Sequence, residues 1–521
     1  MSLVTILSSL LWGAPKATIK PTLASLPEDI IRLIAHIFVS SEPKRGWKVW
    51  GEEQNAYRSL FPLSETCKRL RETLKPLLFG KIYNWNIDGE RVWPGGLWPH
   101  AVEVNLRDHV VGDPRCLQVT DDVYAALSHM PLLTTMILRY NASVPLDALR
   151  CVGALSGLTS LEIHQARLDG PMPSSLHFPS LQRLLVSISG FRGIVRAEDI
   201  DRVAEQAHVG RLLRCASASL SFLHVSGDLL PDDFVDIRWP RLRTLIVSEH
   251  TPATYLLVPA FTTRMPQLRT LELLYAADMG RASDELYPPF VYGDTVGKPL
   301  VHTLPFLCSL ALSNLAADDP IFSQLPLSLT ALHVHARRDP YYGEPRDFWD
   351  RGETAFSNAE AMSVVDGISY LPDLEELTIV LREFPTAELL KVIASRFPRL
   401  TFLEASHATY RLPREGQYDE LWDARDPAKL AALAGLKHLQ RLRLSLDLLR
   451  NRVETHVNYI QVVQWIFDGI PSLEEMQLTF LNHGVWLPWW DPNVIPWIVY
   501  DRKSAADLVF RLSHPIMVVR T

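Results

Sequence analysis

The sequence predicts an α/β chain, in which a short all-α module precedes an irregular solenoid of parallel strands. Three observations predict it. An eight-residue unit with apolar residues at its third, sixth and eighth places recurs along most of the chain. About half of the intervals between copies fall within the ~20–29 residues of a repeat that stacks on its neighbours. Residues 25–83, ahead of the copies, carry helical rather than strand periodicity.

Composition sets the outer limits. The 521 residues are 47% apolar and 21% charged, with a net charge of -7, which is a globular balance able to fill a large core. With 52 basic against 59 acidic residues there is no basic footprint, so no nucleic-acid partner is expected. The five cysteines, Cys67, Cys116, Cys151, Cys215 and Cys308, lie far apart with no CxxC pair. Neither a zinc ribbon nor a disulfide framework is expected, and a reducing compartment, cytoplasm or nucleus, is the default. The apolar run Leu3–Trp12 lacks the preceding Lys or Arg of a secretory signal and is too short to span a bilayer. No stretch of 18 apolar residues occurs later, so no membrane segment is expected and the sequon Asn141-Ala142-Ser143 has no evident use.

Residues 1–24 are read as an N-terminal tail and 25–83 as the helical module. Ser25 is a candidate cap and Pro27 suits a first helical turn. Glu28 and Asp29 complement the positive end of the helix dipole. Ile30, Ile31, Ile34, Ile37 and Phe38 then form one apolar stripe. A polar stretch, Ser41–Asn55, separates this helix from Leu60–Arg71 and Leu74–Phe79.

After a linker at 84–98, the unit Pro-x-Leu-x-x-Leu-x-Leu organises residues 99–480. Copies begin at Pro131, Pro179, Pro240, Pro266, Pro305, Pro372, Pro398 and Pro471. Four more keep the apolar triplet without the proline, and Val104 with Leu106 forms a weak first copy. The middle apolar residues stand at 104, 136, 161, 184, 223, 245, 271, 310, 332, 377, 403, 442 and 476, and six of the twelve spacings lie between 22 and 26 residues. The Leu-x-Leu end has period two and reads as a short strand with both leucines on one face. Helical patterns precede several copies, as at Thr120–Met130 and Thr386–Phe397, and the proline turns the chain from helix into strand. No unit buries its own leucines, so the copies must stack. Residues 481–521, rich in tryptophan as far as Trp497, are read as a C-terminal cap.

On these residues the repeat region resembles a leucine-rich-repeat solenoid. That family places asparagine three residues after the last strand leucine. Only Asn141 sits there, with Ala166, Ala276 and Arg337 elsewhere, so irregular repeats are expected. The helical module resembles an F-box. Leu26-Pro27 supply its opening, Leu63-Ser64 and Cys67-Lys68-x-Leu70-Arg71 its closing helix, and Pro76–Phe79 the Pro-Leu-Leu-Phe that follows in many fungal members. Leu70 stands where other members carry tryptophan, and Ser41–Asn55 reads as an insertion between helices.

The combined resemblance implies a non-catalytic substrate receptor of an SCF-type cullin–RING ubiquitin ligase. The F-box would dock on a Skp-type adaptor and through it on the cullin scaffold, and the repeats would hold a protein target. Carried over, Leu26, Pro27, Ile30, Ile31, Leu63, Cys67, Leu70 and Leu77 form the adaptor-binding and core surface of the F-box, without distinction between the two roles. The alternative is a repeat scaffold whose F-box-like segment does not support ubiquitination or only caps the solenoid. A secreted repeat receptor is a third reading, disfavoured by the scattered cysteines.

For the target, strand positions alternating with the leucines face the concave side. They include Arg139, His164, His224, His333, His335, Glu404, Arg441, Arg443 and Gln477, a set that any solvated strand face would also show. Three long insertions, Ala276–His302, Arg337–Asn358 and His407–Asp426, carry aromatics, among them Tyr341, Tyr342 and Trp349. Such loops either bind or fold back as cover. There is no Walker loop, GxSxG, HExxH or EF-hand loop, so no enzyme, no cofactor and no metal site is expected.

Overall fold

The computed structural model describes residues 26–41, 61–83, 96, 98–107, 121–140, 143–187 apart from 165 and 174–175, 201–249, 252, 264–275, 304–336, 355–407 apart from 369, 427–445, 464–479, 497–501 and 511–512. The chain forms two compact units. The first holds Met1–Ala166, Pro171–Ser180 and Met517–Thr521, and the second Arg167–Gly170 and Leu181–Ile516.

The first unit opens with helices α1 (Glu28–Ser41), α2 (Phe61–Thr66) and α3 (Lys68–Phe79). Pro76 lies inside α3 rather than ending it. The stop comes at Gly80, where an added Cβ would sit 2.4 Å from the Pro76 carbonyl oxygen. Strands β1 (Lys81–Tyr83), β2 (Glu103–Arg107), β3 (Thr135–Arg139) and β4 (Ser160–His164) follow, with α4 (Asp121–Leu127) and α5 (Leu146–Ala154) in the connections. All four strands are parallel, and their middle residues Ile82, Val104, Met136 and Leu161 stand in register. The array therefore begins at β1, one strand ahead of the first copy read from the sequence.

The second unit holds β5 (Arg183–Ser187), β6 (Phe222–Ser226), β7 (Thr244–Glu249), β8 (Thr270–Tyr275), β9 (Ser309–Ser313), β10 (Ala331–His335), β11 (Glu376–Leu381), β12 (Phe402–His407), β13 (Arg441–Ser445) and β14 (Glu475–Thr479). These run parallel in chain order, and Leu184, Leu223, Leu245, Leu271, Leu310, Leu332, Leu377, Leu403, Leu442 and Met476 form one register line. Each of these middle residues is at most 1% exposed. Helices α6 (Arg202–Ala216), α7 (Asn358–Gly367), α8 (Ala387–Arg396) and α9 (Pro427–Ala434) lie in some connections, and short 3-10 turns such as Pro320–Gln324 take their place in others. Two antiparallel strands, β15 (Trp497–Asp501) and β16 (Arg511–Leu512), close the C-terminal side beside β14.

The prolines have a more specific role than stopping helices. Leu133, Leu268, Leu307, Leu374, Leu400 and Leu473 each donate their backbone N–H to the carbonyl of the residue before the proline, at 3.0–3.3 Å. Each proline thus occupies the second place of a four-residue turn, where its fixed φ is an advantage. The apolar residues flanking the turn are buried; the residue after the proline is not, which leaves Leu132 and Phe306 exposed at 52% and 58%. Repeats are then tied by a second pattern. The N–H groups of Arg243 and Thr244 both point to Ser221 O, those of Arg269 and Thr270 to Arg243 O, and so on to Glu474 and Glu475 on Gln440 O.

In place of an asparagine ladder the strand ends carry hydroxyls. Ser187 and Ser226 donate to the Glu249 carboxylate at 2.7 and 2.5 Å, and Ser313 donates to Tyr275 O at 2.7 Å. Glu249 and Asn314 have φ of 70° and 56°, the left-handed bends that let the chain leave the strand. Asn314 Nδ2 donates to Tyr275 O at 2.9 Å, an asparagine in a role close to that of the ladder.

The helix caps follow the sequence. Thr386 accepts from Leu389 N at 3.2 Å, and Ser357 with Glu360 forms a reciprocal capping box on α7. Ser25 lies outside the described residues, and Pro27 stands just before α1, with its carbonyl accepting from Ile31 N at 3.0 Å. Among the described residues Cys67, Cys151, Cys215 and Cys308 are free thiols. Among the same residues, no helix is long and apolar enough to cross a membrane.

Candidate functional site

Two surfaces hold the residues singled out from the sequence. The first is the helical module. Ile31, Ala35, Leu70, Leu74 and Leu78 form its core, with Leu26, Cys67, Leu77 and Phe79 packed against it. Ile31 and Leu70, at 1% and 3% exposure, are therefore spent on folding the module. Cys67 Sγ caps α3 by accepting from Leu70 N at 3.5 Å, and Arg69 donates to Leu26 O at 2.9 Å, fixing the start of α1 on α3. Pro27, just before α1, and Ile30, within it, are exposed, and Leu33, outside the apolar stripe read from the sequence, joins them. Ile30 is 38% and Leu33 54% exposed, so α1 presents an apolar edge that its own core does not need. Leu63 lies in α2.

The second surface is the face of β10–β14 turned away from the leucine core. Arg441 reaches across β12 and donates to Glu376 Oε1 at 2.7 Å, with its guanidinium carbon 4.9 Å from the Phe402 ring centroid. Arg443 lies 5.4 Å from the same centroid and donates to Glu404 at 2.9 Å and to Gln477 at 2.8 Å. Phe402 is left 6% exposed beneath two cations. Glu376 Oε2 also lies 4.0 Å from His333 Nε2, while His333 Nδ1 is 2.9 Å from the Thr378 hydroxyl. Burial lowers the His333 pKa; Glu376 opposes that shift and Arg443 adds to it. His335 stacks on His333 with ring centroids 6.1 Å apart. Among the described residues no group of three or more His, Cys, Asp and Glu is placed to hold a metal ion.

The other sequence-predicted target residues described stand on other strands. His224, on β6, meets the Ser248 hydroxyl at 2.7 Å. Arg139 and His164 stand on β3 and β4 of the first unit, where His164 Nε2 is 3.1 Å from Glu162. Tyr341, Tyr342 and Trp349 lie outside the described residues. The ends of their insertion are placed, however. The β10–β11 ladder reaches Val334↔Ile379, and Phe356 pairs with Leu381 further along β11, so the chain leaves and rejoins at one edge. Glu376, Thr378 and Phe402 were missed. Aligning the copies on their middle residues places Glu376, Phe402 and Arg441 at the same strand position, and that alignment was the available signal.

No family model matches the sequence, and no curated protein matches it. Among solved structures, the chain is similar to one in the crystal structure of the Rad7 and Elc1 complex in yeast, at 11% identity over 94% of this chain and 97% of that one, with a TM-score of 0.36. It is similar to the leucine-rich-repeat-containing protein LegL7 from Legionella pneumophila at 13% identity, over 68% of this chain and 99% of that one, with a TM-score of 0.28. The Toll–Spatzle complex of Drosophila follows at 13% identity, over 73% of this chain and 44% of that one, with a TM-score of 0.28. The fold is an α/β leucine-rich-repeat solenoid. Its strands, turns and register carry that assignment, and likenesses this distant say nothing about what the solenoid binds.

Proposed function

We propose that the chain is the non-catalytic substrate-recognition subunit of an SCF-type cullin–RING ubiquitin ligase. In this reading α1–α3 are an F-box that docks on a Skp-type adaptor, and the solenoid holds a protein target. The observation that carries it is the apolar edge of α1, where Ile30 and Leu33 stay exposed although Ile31, Ala35, Leu70, Leu74 and Leu78 already fill the module. An amphipathic helix with a second apolar edge suits burial against a constant partner. The charged, aromatic-centred face of β10–β14 suits target recognition, and the receptor would act by holding a target lysine close to the charged ubiquitin carrier. Cytoplasm or nucleus is the compartment this role requires.

A second reading keeps the solenoid as a binding scaffold and makes the module an end cap. One observation favours it. Gly80 O, at the end of α3, accepts from both Val102 N and Glu103 N at 2.8 Å, so the module is continuous with the strand stack. Co-purification of the full chain from its native cells separates the two. Stoichiometric adaptor with cullin supports the ligase receptor, adaptor without cullin supports the scaffold, and the absence of adaptor removes the F-box role altogether.

A further inference from the structure

On the β10–β14 face one side chain, Arg441, crosses a whole strand to reach its carboxylate partner, Glu376. We propose that Glu376 and Phe402 form a binding site for the guanidinium or ammonium group of a basic side chain in a partner peptide, and that Arg441 fills this site from within the chain until the partner displaces it. The proposal rests on reading this face as the target surface and names the chemistry it selects.

A carboxylate beside an aromatic ring is what an organic cation requires: a charge partner on its edge and a π-face beneath it. Arg441 satisfies both at once, 2.7 Å from Glu376 and 4.9 Å above Phe402. Its hold is weak. The Arg441 side chain is 47% exposed and that of Glu376 36%, and ion pairs so exposed contribute little. Arg441 also has an alternative carboxylate at hand. Its register partner on β14 is Glu475, one strand away, whereas Glu376 is two strands away across Phe402. Oppositely charged residues paired directly across neighbouring strands attract each other, so Arg441 has somewhere to go when it leaves Phe402. Arg443 does not share this freedom. It is 28% exposed and is held by Gln477 and by Glu404, itself 10% exposed, so it remains as a fixed wall of the site.

Charge agrees with the assignment. Glu376, Glu404 and Glu475 face Arg441 and Arg443, three acids against two bases, so one incoming cation brings the cluster to neutrality. His333, with Nε2 4.0 Å from Glu376, is kept towards its neutral form by burial and does not repel a cation. An acidic partner would meet the surplus carboxylate instead.

The test is titration of the full-length chain with N-acetyl-arginine amide, followed by NMR or calorimetry, with N-acetyl-glutamate amide as the control. Arg441→Ala empties the site and is expected to bind the blocked arginine at least tenfold more tightly than the wild type. Arg441→Ala with Glu376→Gln is expected to lose that gain, and the blocked glutamate is expected to bind none of these proteins. The proposal is overturned if Arg441→Ala shows no gain, if the gain survives Glu376→Gln, or if the blocked glutamate binds equally well. Failure of the target-surface reading looks different: the tenfold gain appears, yet Glu376→Gln leaves target capture by the full chain in cells unchanged.

Discussion

The apolar edge of α1 and the face of β10–β14 are built on opposite principles. Ile30 and Leu33 stand 38% and 54% exposed, and the five-residue core of the module is formed without them. On β10–β14 every charged group described has a partner within the chain: Arg441 on Glu376, Arg443 on Glu404 and Gln477, and Glu475 accepting from Gln477. The first surface gains free energy simply by being covered, which suits one constant partner. The second gains only where a partner can replace the bonds it breaks, which suits discrimination between partners. A receptor that docks one adaptor and selects its targets needs one of each.

The comparison can be strained at several points. The largest effect is expected from Leu74→Ala, which empties the centre of a five-residue core at a cost of about 2–5 kcal/mol. Hydrogen exchange should show α1 and α3 opening while the backbone amides of β5–β14 stay protected. If protection falls throughout the chain, the module and the strand array are not separable in stability. Next is Glu404→Ala, which removes the carboxylate from Arg443 at a largely buried position. It should cost about 1.5–3 kcal/mol in chemical denaturation, whereas Leu33→Ala, which only trims the exposed edge of α1, should stay within about 0.5 kcal/mol. Equal costs would contradict the contrast between a self-paired face and an unpaired one.

The smallest effect expected is a pH dependence. His333 is held below its ordinary value of 6.5 by burial, so the folded chain binds fewer protons there than the unfolded chain. Stability contributed by neutral His333 is therefore present above pH 6.5 and declines as the pH falls from that value through the lowered one. His333→Asn should flatten this part of the stability–pH curve, and an unchanged slope would remove His333 from the account.

The strand array was legible because its signal is local. Leucines two residues apart, preceded by a turn proline, report a buried strand wherever they fall, and all thirteen middle residues lie on strands in register within their units. β1 escaped because Asn84 stands where the unit's last apolar residue would be, leaving only Phe79 and Ile82 of the triplet, and its pairing with Val104 makes it a strand. The antiparallel β15 and β16 follow no repeat, so the leucine pattern could not mark them. The site was half legible. Arg441, Arg443, His333 and the Arg443 partners Glu404 and Gln477 could be placed on one face by alternation, but not Glu376, Thr378 and Phe402. Glu376 and Arg441 are 65 residues apart and Glu376 and His333 are separated by an insertion, so the chain shows no spacing that links them. In the module, helical periodicity marked the apolar stripe, yet only packing could divide Ile31 and Leu70, which fold it, from Ile30 and Leu33, which do not.

The most direct test of the account is calorimetric titration of the purified full-length chain with a Skp-type adaptor, comparing the wild type with Ile30→Asp/Leu33→Asp. Both positions are exposed, so the double variant should melt with the wild type. The account predicts that the wild type forms a 1:1 complex and that the double variant binds at least a hundredfold more weakly. A wild type that does not bind the adaptor, or a folded double variant that binds it equally well, would contradict the account.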